Sequence, residues 1–286
     1  MTIDHVLLTR FNLPSKGPES LIRAKQGWLM RRVELFERYT IPSVAAQTVP
    51  GLHWIVYFDP ESPRWLLDRL GPYVSSGAFT PIFREEATWR EVGADARQLT
   101  GARGSLLITT NLDNDDALAN DFIERIQRLA RPGETRALFL ERGLICCGGR
   151  AYLRRDRDNA FCSVAEPWSA EPRTAWRDWH TMLRNHMPVI SSAGPPAWLQ
   201  VVHGENVSNR VRGRLTDPSS HQALFPGLIE RLPRPRAGAV AVDLLVAAPL
   251  RMVRDGLRGV AKQALLIIGG KHALDRVKLL FHLQQR

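Results

Sequence analysis

Residues 106–122 read LLITTNLDNDDALANDF, and the fold turns on how they are understood. The apolar and β-branched run 106–110 has the composition of a buried strand. Directly after it, Asp113, Asp115 and Asp116 crowd three negative charges into four residues. Like charges at that spacing repel, so a counter-charge is required. A divalent cation is one solution, because Mg²⁺ and Mn²⁺ take oxygen ligands and bind through one or two carboxylates plus substrate phosphates. A helix N-terminus is the other, with Asp113 or Asn114 as cap and Asp115 and Asp116 favouring the macrodipole. The residues alone leave both open. Residues 116–133, DALANDFIERIQRLARPG, predict that helix: acids in its first turn, Arg128 and Arg131 late, then Pro-Gly.

Working outward, strand-like runs alternate with helical ones. HVLLTRFN (5–12), LHWIVYFD (52–59), FTPIFRE (79–85) and SLLITTNLD (105–113) are the strands. Between them lie GWLMRRVELFERYTIPSVAAQ (27–47), where Pro42 is suited to begin a second short helix, then PESPRWLLDRLGPYV (60–74) and WREVGADARQLTGARG (89–104). RALFLERGLICCGG (136–149) reads as a further strand or hairpin. This alternation predicts an α/β fold, a single Rossmann-type domain with a mostly parallel central sheet. In such sheets ligands sit beyond the carboxyl ends of the strands, where Arg10, Asp59 and Asp113 would converge. Residues 155–220, rich in Trp, Pro and His, lack periodicity and would supply acceptor-binding loops.

Net charge narrows the partners. The chain carries +10 at a sequence pI near 10.2. Residues 231–286 hold eleven Lys/Arg against three acids, so +8 of that charge lies there and residues 1–230 are nearly neutral. The expected organisation is a catalytic domain over 1–230 and a basic amphipathic helical tail over 231–286. LPRPRAGAV (232–240) would be a linker, followed by two helices broken at Gly269–Gly270. A basic amphipathic helix either lies on an anionic membrane surface or packs on the catalytic domain with its charges solvated. Three cysteines do not make a disulfide framework, no stretch is long and apolar enough to span a bilayer, and no signal peptide is evident. The expected location is cytoplasmic, with peripheral contact at the inner face of the plasma membrane through the tail.

REVGADARQLTGARGSLLITTNLDNDDALANDFIERI resembles the central segment of GT-A-fold glycosyltransferases, especially the large family 2 group. More narrowly, LLTRFNLP, GWLMRRVELFERYTIPSVAAQT, HWIVYFDPESP, TTNLDNDDAL, NAFCSVAE and WLQVVHGENVSN resemble bacterial rhamnosyltransferases, over about residues 5–210. That resemblance implies transfer, with inversion, of a sugar from a nucleotide-diphosphate donor, deoxythymidine-diphosphate rhamnose being favoured, to a glycan or lipid-linked acceptor in polysaccharide biosynthesis. It implies Mn²⁺ or Mg²⁺ as cofactor, held by Asp115 with Asp113 and His203. Asp113 would also face the donor ribose or sugar, Asp59 a nucleobase edge, Arg97 the base or diphosphate, and Thr9 and Arg10 the nucleotide pocket. Glu166 would deprotonate the acceptor hydroxyl. Asn111 departs from the pattern, standing where an arginine is expected.

Each residue also has a plainer role open to it. Asp59 would serve as a turn acid before Pro60, Arg97 as a surface ion-pair partner, His203 as a satisfied core histidine, and Glu166 as a solvated loop acid. His180 rivals His203. Trp168, Trp176, Trp179 and Trp198 have the faces to stack on sugars, though core packing uses most tryptophans. Two other functions share these residues. A divalent-metal nucleotide phosphohydrolase would use the same acids without an acceptor. A nucleic-acid-binding protein would use the basic charge, but that charge lies in a tail with no accompanying recognition motif.

Overall fold

The computed structural model describes residues 2–14, 27–203 and 210–256. Four strands, β1 (Ile3–Arg10), β2 (Leu52–Phe58), β3 (Thr80–Phe83) and β4 (Leu106–Asn111), run parallel in the order β3-β2-β1-β4. Parallel neighbours cannot be joined by a tight turn. Between β1 and β2 the chain accordingly forms α1 (Trp28–Leu35), a π-helical stretch (Phe36–Thr40) and α2 (Ile41–Ala45). The later crossovers carry α3 (Arg64–Ser75) and α4 (Trp89–Thr100). Pro42 lies in the first turn of α2, where its missing N–H is no loss. α4 opens on the reciprocal Thr88–Glu91 cap and closes on Gly101 at φ +69°.

Why the strands read as continuous apolar runs is plain from their two faces. Leu7, Val56, Phe58 and Ile108 enter one core with Val33, Phe36, Leu66 and Leu70. Val6, Leu8, Ile55, Tyr57 and Leu107 enter another with Val92 and Ala96. Both faces of the sheet are covered by helices or loops, so neither alternate set is polar.

After β4 the chain departs from the expected helix over 116–133. β5 (Ala117–Leu118) comes first, and α5 (Phe122–Leu129) begins only six residues after Asp116. Asp115 and Asp116 therefore lie outside any first helical turn. The remaining strands are β6 (Arg136–Leu140), β7 (Arg142–Cys147), β8 (Arg150–Arg155), β9 (Ser163–Pro167), β10 (Val189–Ser192), β11 (Trp198–Val202) and β12 (Arg214–Thr216). β9 inserts antiparallel between β4 and β6, giving the central sheet the order β10-β6-β9-β4-β1-β2-β3. β6 and β7 do not pair with each other. Glu141 lies between them, and β7 joins a second sheet of order β12-β8-β7-β11-β5. Residues 155–220 thus contain four strands, each of five residues or fewer; LQVV before His203 reads as one of them, and the other three show no period.

The proposed linker at 232–240 is only partly one. α6 (Ala237–Val242) starts within it and continues through a π-helical turn (Asp243–Ala247) to residue 256. The predicted helix break at Gly269–Gly270 lies outside the described residues. Among the described residues no helix is long and apolar enough to cross a membrane.

Candidate active site

Three carboxyl ends of the parallel sheet meet at one edge. β1 ends at Arg10, β2 runs into Asp59, and β4 runs into Asn111, Leu112 and Asp113. Backbone bonds knit them together: Phe11 N–H donates to Tyr57 O at 2.9 Å, and Leu112 N–H to Leu8 O at 3.0 Å. Asn114 fixes the acidic loop, its amide donating to Phe11 O at 2.5 Å and Arg10 O at 3.2 Å.

β5 explains how a distant histidine arrives. It pairs antiparallel with β11, Leu199 opposite Ala117, so β11 runs back along the acidic loop. Val201 N–H donates to Asp116 Oδ1 at 2.8 Å. Two residues on, His203 Nε2 lies 2.9 Å from Asp115 Oδ2. The same carboxylate oxygen is 2.5 Å from Arg32 Nη1, and Arg32 also donates to Asn114 Oδ1 at 3.1 Å. Arg32 is the counter-charge that the acid cluster requires. Sequence reasoning missed it because it sits on α1, more than eighty residues away. One signal pointed that way: an arginine on the crossover helix between the strands that flank the site.

The three acids are electrostatically distinct. Burial pulls Asp115 upward, but the His203 hydrogen bond and the Arg32 charge outweigh it and hold the carboxyl below its ordinary value. Asp116 is driven well above its ordinary value, by burial first and then by Asp115 and Asp113. Its Oδ2 is buried with no hydrogen-bond partner among the described residues. Asp113 reaches solvent by area, yet it lies on a crowded rim. Loss of surrounding bulk water and the Asp115 charge raise it, against the opposing pull of Asn111, Arg10 and Arg32.

Asn111, the departure from the expected arginine, has a structural office. Its amide donates to Ala160 O at 2.9 Å and Asp113 Oδ1 at 3.3 Å, and its oxygen accepts from Trp176 Nε1 at 2.7 Å. The Arg10 guanidinium covers the Trp176 ring at 4.1 Å, placing a cation beside Asp113.

Not every expected site residue is here. Thr9 is fully buried; its hydroxyl donates to Leu112 O at 2.8 Å and accepts from Trp54 Nε1 at 3.0 Å, so it braces the loop from beneath and has no face toward a nucleotide. Arg97 lies at the opposite end of the sheet. It covers Trp168 at 4.8 Å and donates to Ser169 O, while Trp168 Nε1 donates to Asp4 at the start of β1. Helix α4 runs back against the strands, so its C-terminal residues are carried away from the site. Glu166 is a correction of the same kind. It pairs opposite Leu107, about 13 Å back along β4 from Asn111 at ~3.3 Å per residue. Its two oxygens accept the Arg173 and Thr174 N–H groups at 2.9 Å each, and burial raises its pKa. It is a loop anchor, not an acceptor base. Asp59 does line the edge, where its carboxylate accepts Glu61 N–H at 2.9 Å as a turn acid does.

The tryptophans divide sharply. Trp198 is buried in a stack with Phe161, Trp176 is buried under Arg10, and Trp168 is half-buried. Trp179 alone of the four is 78% exposed, three residues beyond Trp176. His180, the rival histidine, has its pKa lowered by burial and no described contact with the acids.

A cation is a test of this donor set. Among the described residues no three His, Cys, Asp or Glu side chains converge as a closed metal cage. Asp115 and His203 do meet at 2.9 Å. Such a partial set fits a hard cation completed by substrate phosphates better than a resident ion.

A parallel sheet with an inserted antiparallel strand, a second small sheet, and an acidic loop at the strand ends define a mixed α/β fold with its candidate site at the carboxyl edge. The family-wide sequence profile described as "Putative rhamnosyl transferase" matches residues 4–215. The chain belongs to that family. No curated protein matches it. Among solved structures, S. aureus TarS 1-349 in complex with UDP is similar at 12% identity and TM-score 0.38, over 71% of this chain and 61% of that one. Its complex with UDP-GlcNAc is similar at 12% and 0.40, over 78% and 64%. The inositol-1-phosphate CTP transferase from T. maritima is similar at 10% and 0.37, over 82% and 99%. The chain therefore spans less than two thirds of the TarS chains it matches.

Proposed function

We propose that the protein transfers a sugar, rhamnose by family, from a nucleotide-diphosphate donor to a hydroxyl of a glycan or lipid-linked acceptor, with inversion. The observation that carries this is the Arg32–Asp115–His203 cluster at the carboxyl end of β4 in a chain of this family. A departing nucleoside diphosphate develops negative charge, and fixed positive groups aimed at that place lower the barrier. Arg10, seated on Trp176 beside Asp113, is one such group. Asp113 faces the donor ribose or sugar, and Asp59 at the end of β2 the nucleobase. Asp115 and His203, with Asp113, would hold Mn²⁺ or Mg²⁺, which supplies further counter-charge to the diphosphate. Trp179 offers the acceptor an exposed ring on which a sugar can stack.

A thermal-shift screen of deoxythymidine, uridine and guanosine diphosphates, with and without Mn²⁺, tests this. One nucleotide with Mn²⁺ should raise the melting temperature of wild type and not of Asp115→Ala, because only ligands of the native state stabilise it. Equal shifts in both proteins, or none with any nucleotide, would overturn the site. Release of nucleoside monophosphate and sugar 1-phosphate, at the same rate with and without acceptor, would favour the phosphohydrolase, which adds water across the diphosphate linkage.

A further inference from the structure

The helix over 237–256 is amphipathic in the reverse sense. A surface helix of a soluble domain turns its apolar stripe inward. Here the inward stripe combines the small apolar contacts of Val240 and Ala248 with charged side chains. Asp243 is buried, accepting Leu215 N–H at 2.8 Å and paired with Arg251 at 2.7 Å, and Arg251 donates to Gly213 O at 2.9 Å. Arg212 reaches Asp255 at 3.3 Å. These bonds fasten the helix to β12 and its approach, where Val240 also packs on Tyr152 and Leu215. The outward face is apolar: Val242, Leu245, Val246, Leu250, Met252 and Val253 are 52–74% exposed. A patch of that kind on a monomer marks an interaction surface.

We propose that this face inserts shallowly into an anionic membrane surface, with Asp243, Arg251 and Asp255 serving as the keel that fixes its orientation. The charge decides the occupant. Arg234, Arg236 and Arg254 are exposed beside the patch, and in the sequence residues 257–286 add six basic residues against one acid. A second copy of the chain would bring two tail regions of +8 together and be repelled. An anionic bilayer offers both the apolar interior and the opposite charge, the paired signals that stable peripheral binding requires. This deepens the assignment of a lipid-linked acceptor but does not depend on catalysis.

Co-sedimentation of the full chain with phosphatidylcholine–phosphatidylglycerol vesicles tests it, with no donor present. Wild type should pellet, and should be released when phosphatidylglycerol is omitted or salt is raised. Leu245→Glu/Leu250→Glu should reduce vesicle affinity by about tenfold or more, since charge replaces inserted apolar surface. Both positions are exposed, so its melting temperature and nucleotide shift should match wild type. Three results would overturn the proposal: wild type that stays in the supernatant, a double variant that pellets like wild type, or a wild-type dimer that the double variant dissolves without vesicle affinity in either. Nucleotide shifts read separately whether the catalytic assignment has failed instead.

Discussion

Replacing Arg32 by methionine removes the charge that offsets the acid cluster while keeping most of the side-chain volume. Side-chain exposure in the Arg32–Asp115 pair is 12% and 5%, so solvent screens it poorly. Taking one partner from a buried pair typically costs about 3–5 kcal/mol, because the other charge stays buried. His203 remains 2.9 Å from Asp115 and shares the load, which places the expected loss at the lower end, ~3 kcal/mol. For a chain of this size that is a fall of roughly 6 °C in melting temperature, at about 2 °C per kcal/mol. Asp115→Asn strands the guanidinium instead and should cost a similar amount. The double variant strands neither, so the two losses should not add. Urea denaturation of wild type, both single variants and the double variant gives the coupling directly, expected at ~2 kcal/mol or more. Additive losses, with coupling below about 0.5 kcal/mol, would show that Arg32 does not balance Asp115.

Three further outcomes follow from particular contacts. His5 is buried against Thr110 and its pKa falls from 6.5 to about 3, so the unfolded chain binds its proton more readily. Its contribution is present above 6.5 and is lost as pH falls toward about 3, by up to ~5 kcal/mol. Asp113, Asp116 and Glu166 are raised on folding and pull the other way, so the readout is the difference from His5→Gln, whose acid limb should be flatter; parallel limbs would refute it. In Gly143→Ala the new Cβ would stand 2.0 Å from Trp198 Cδ2, against a ring held by Phe161 and Leu140, and denaturant melts should show a loss at or above the upper end of about 1–3 kcal/mol. Glu166→Gln should lower stability by about 1–3 kcal/mol by facing an amide toward a backbone N–H, yet leave kcat of the folded enzyme unchanged, as Arg97→Ala should leave donor KM unchanged. A kcat collapse in Glu166→Gln at intact stability would restore it as the base.

The α/β architecture was legible because both faces of the central sheet are covered. β1, β2 and β4 had to be largely apolar on both faces, and the crossover helices had to separate them. The strands at 163–167, 189–192 and 214–216 were hidden because each is too short to show a period. The parallel order also made it readable that the acids after β4 and the one after β2 meet at one edge, since the ends of parallel strands share it. By contrast, a sequence says which residue follows a strand and not which way a later element returns. Glu166 and Arg97 failed for that reason: β9 and α4 run opposite to β4 and carry them away from the site.

What the sequence determined by itself was local: an apolar strand, a clustered negative charge that demands an answer, and a tail that holds nearly all the net positive charge. Which groups answer that charge was decided only by tertiary structure. β5 takes the place of the expected helix turn, pairs with β11, and draws His203 to Asp115, while α1 brings Arg32 across from before β2. The tail helix was settled in the same way, since periodicity finds its apolar face but only the bonds of Asp243 and Arg251 fix that face outward. Electrostatic partners and exposed faces depend on distance through space, and distance along the chain does not encode them.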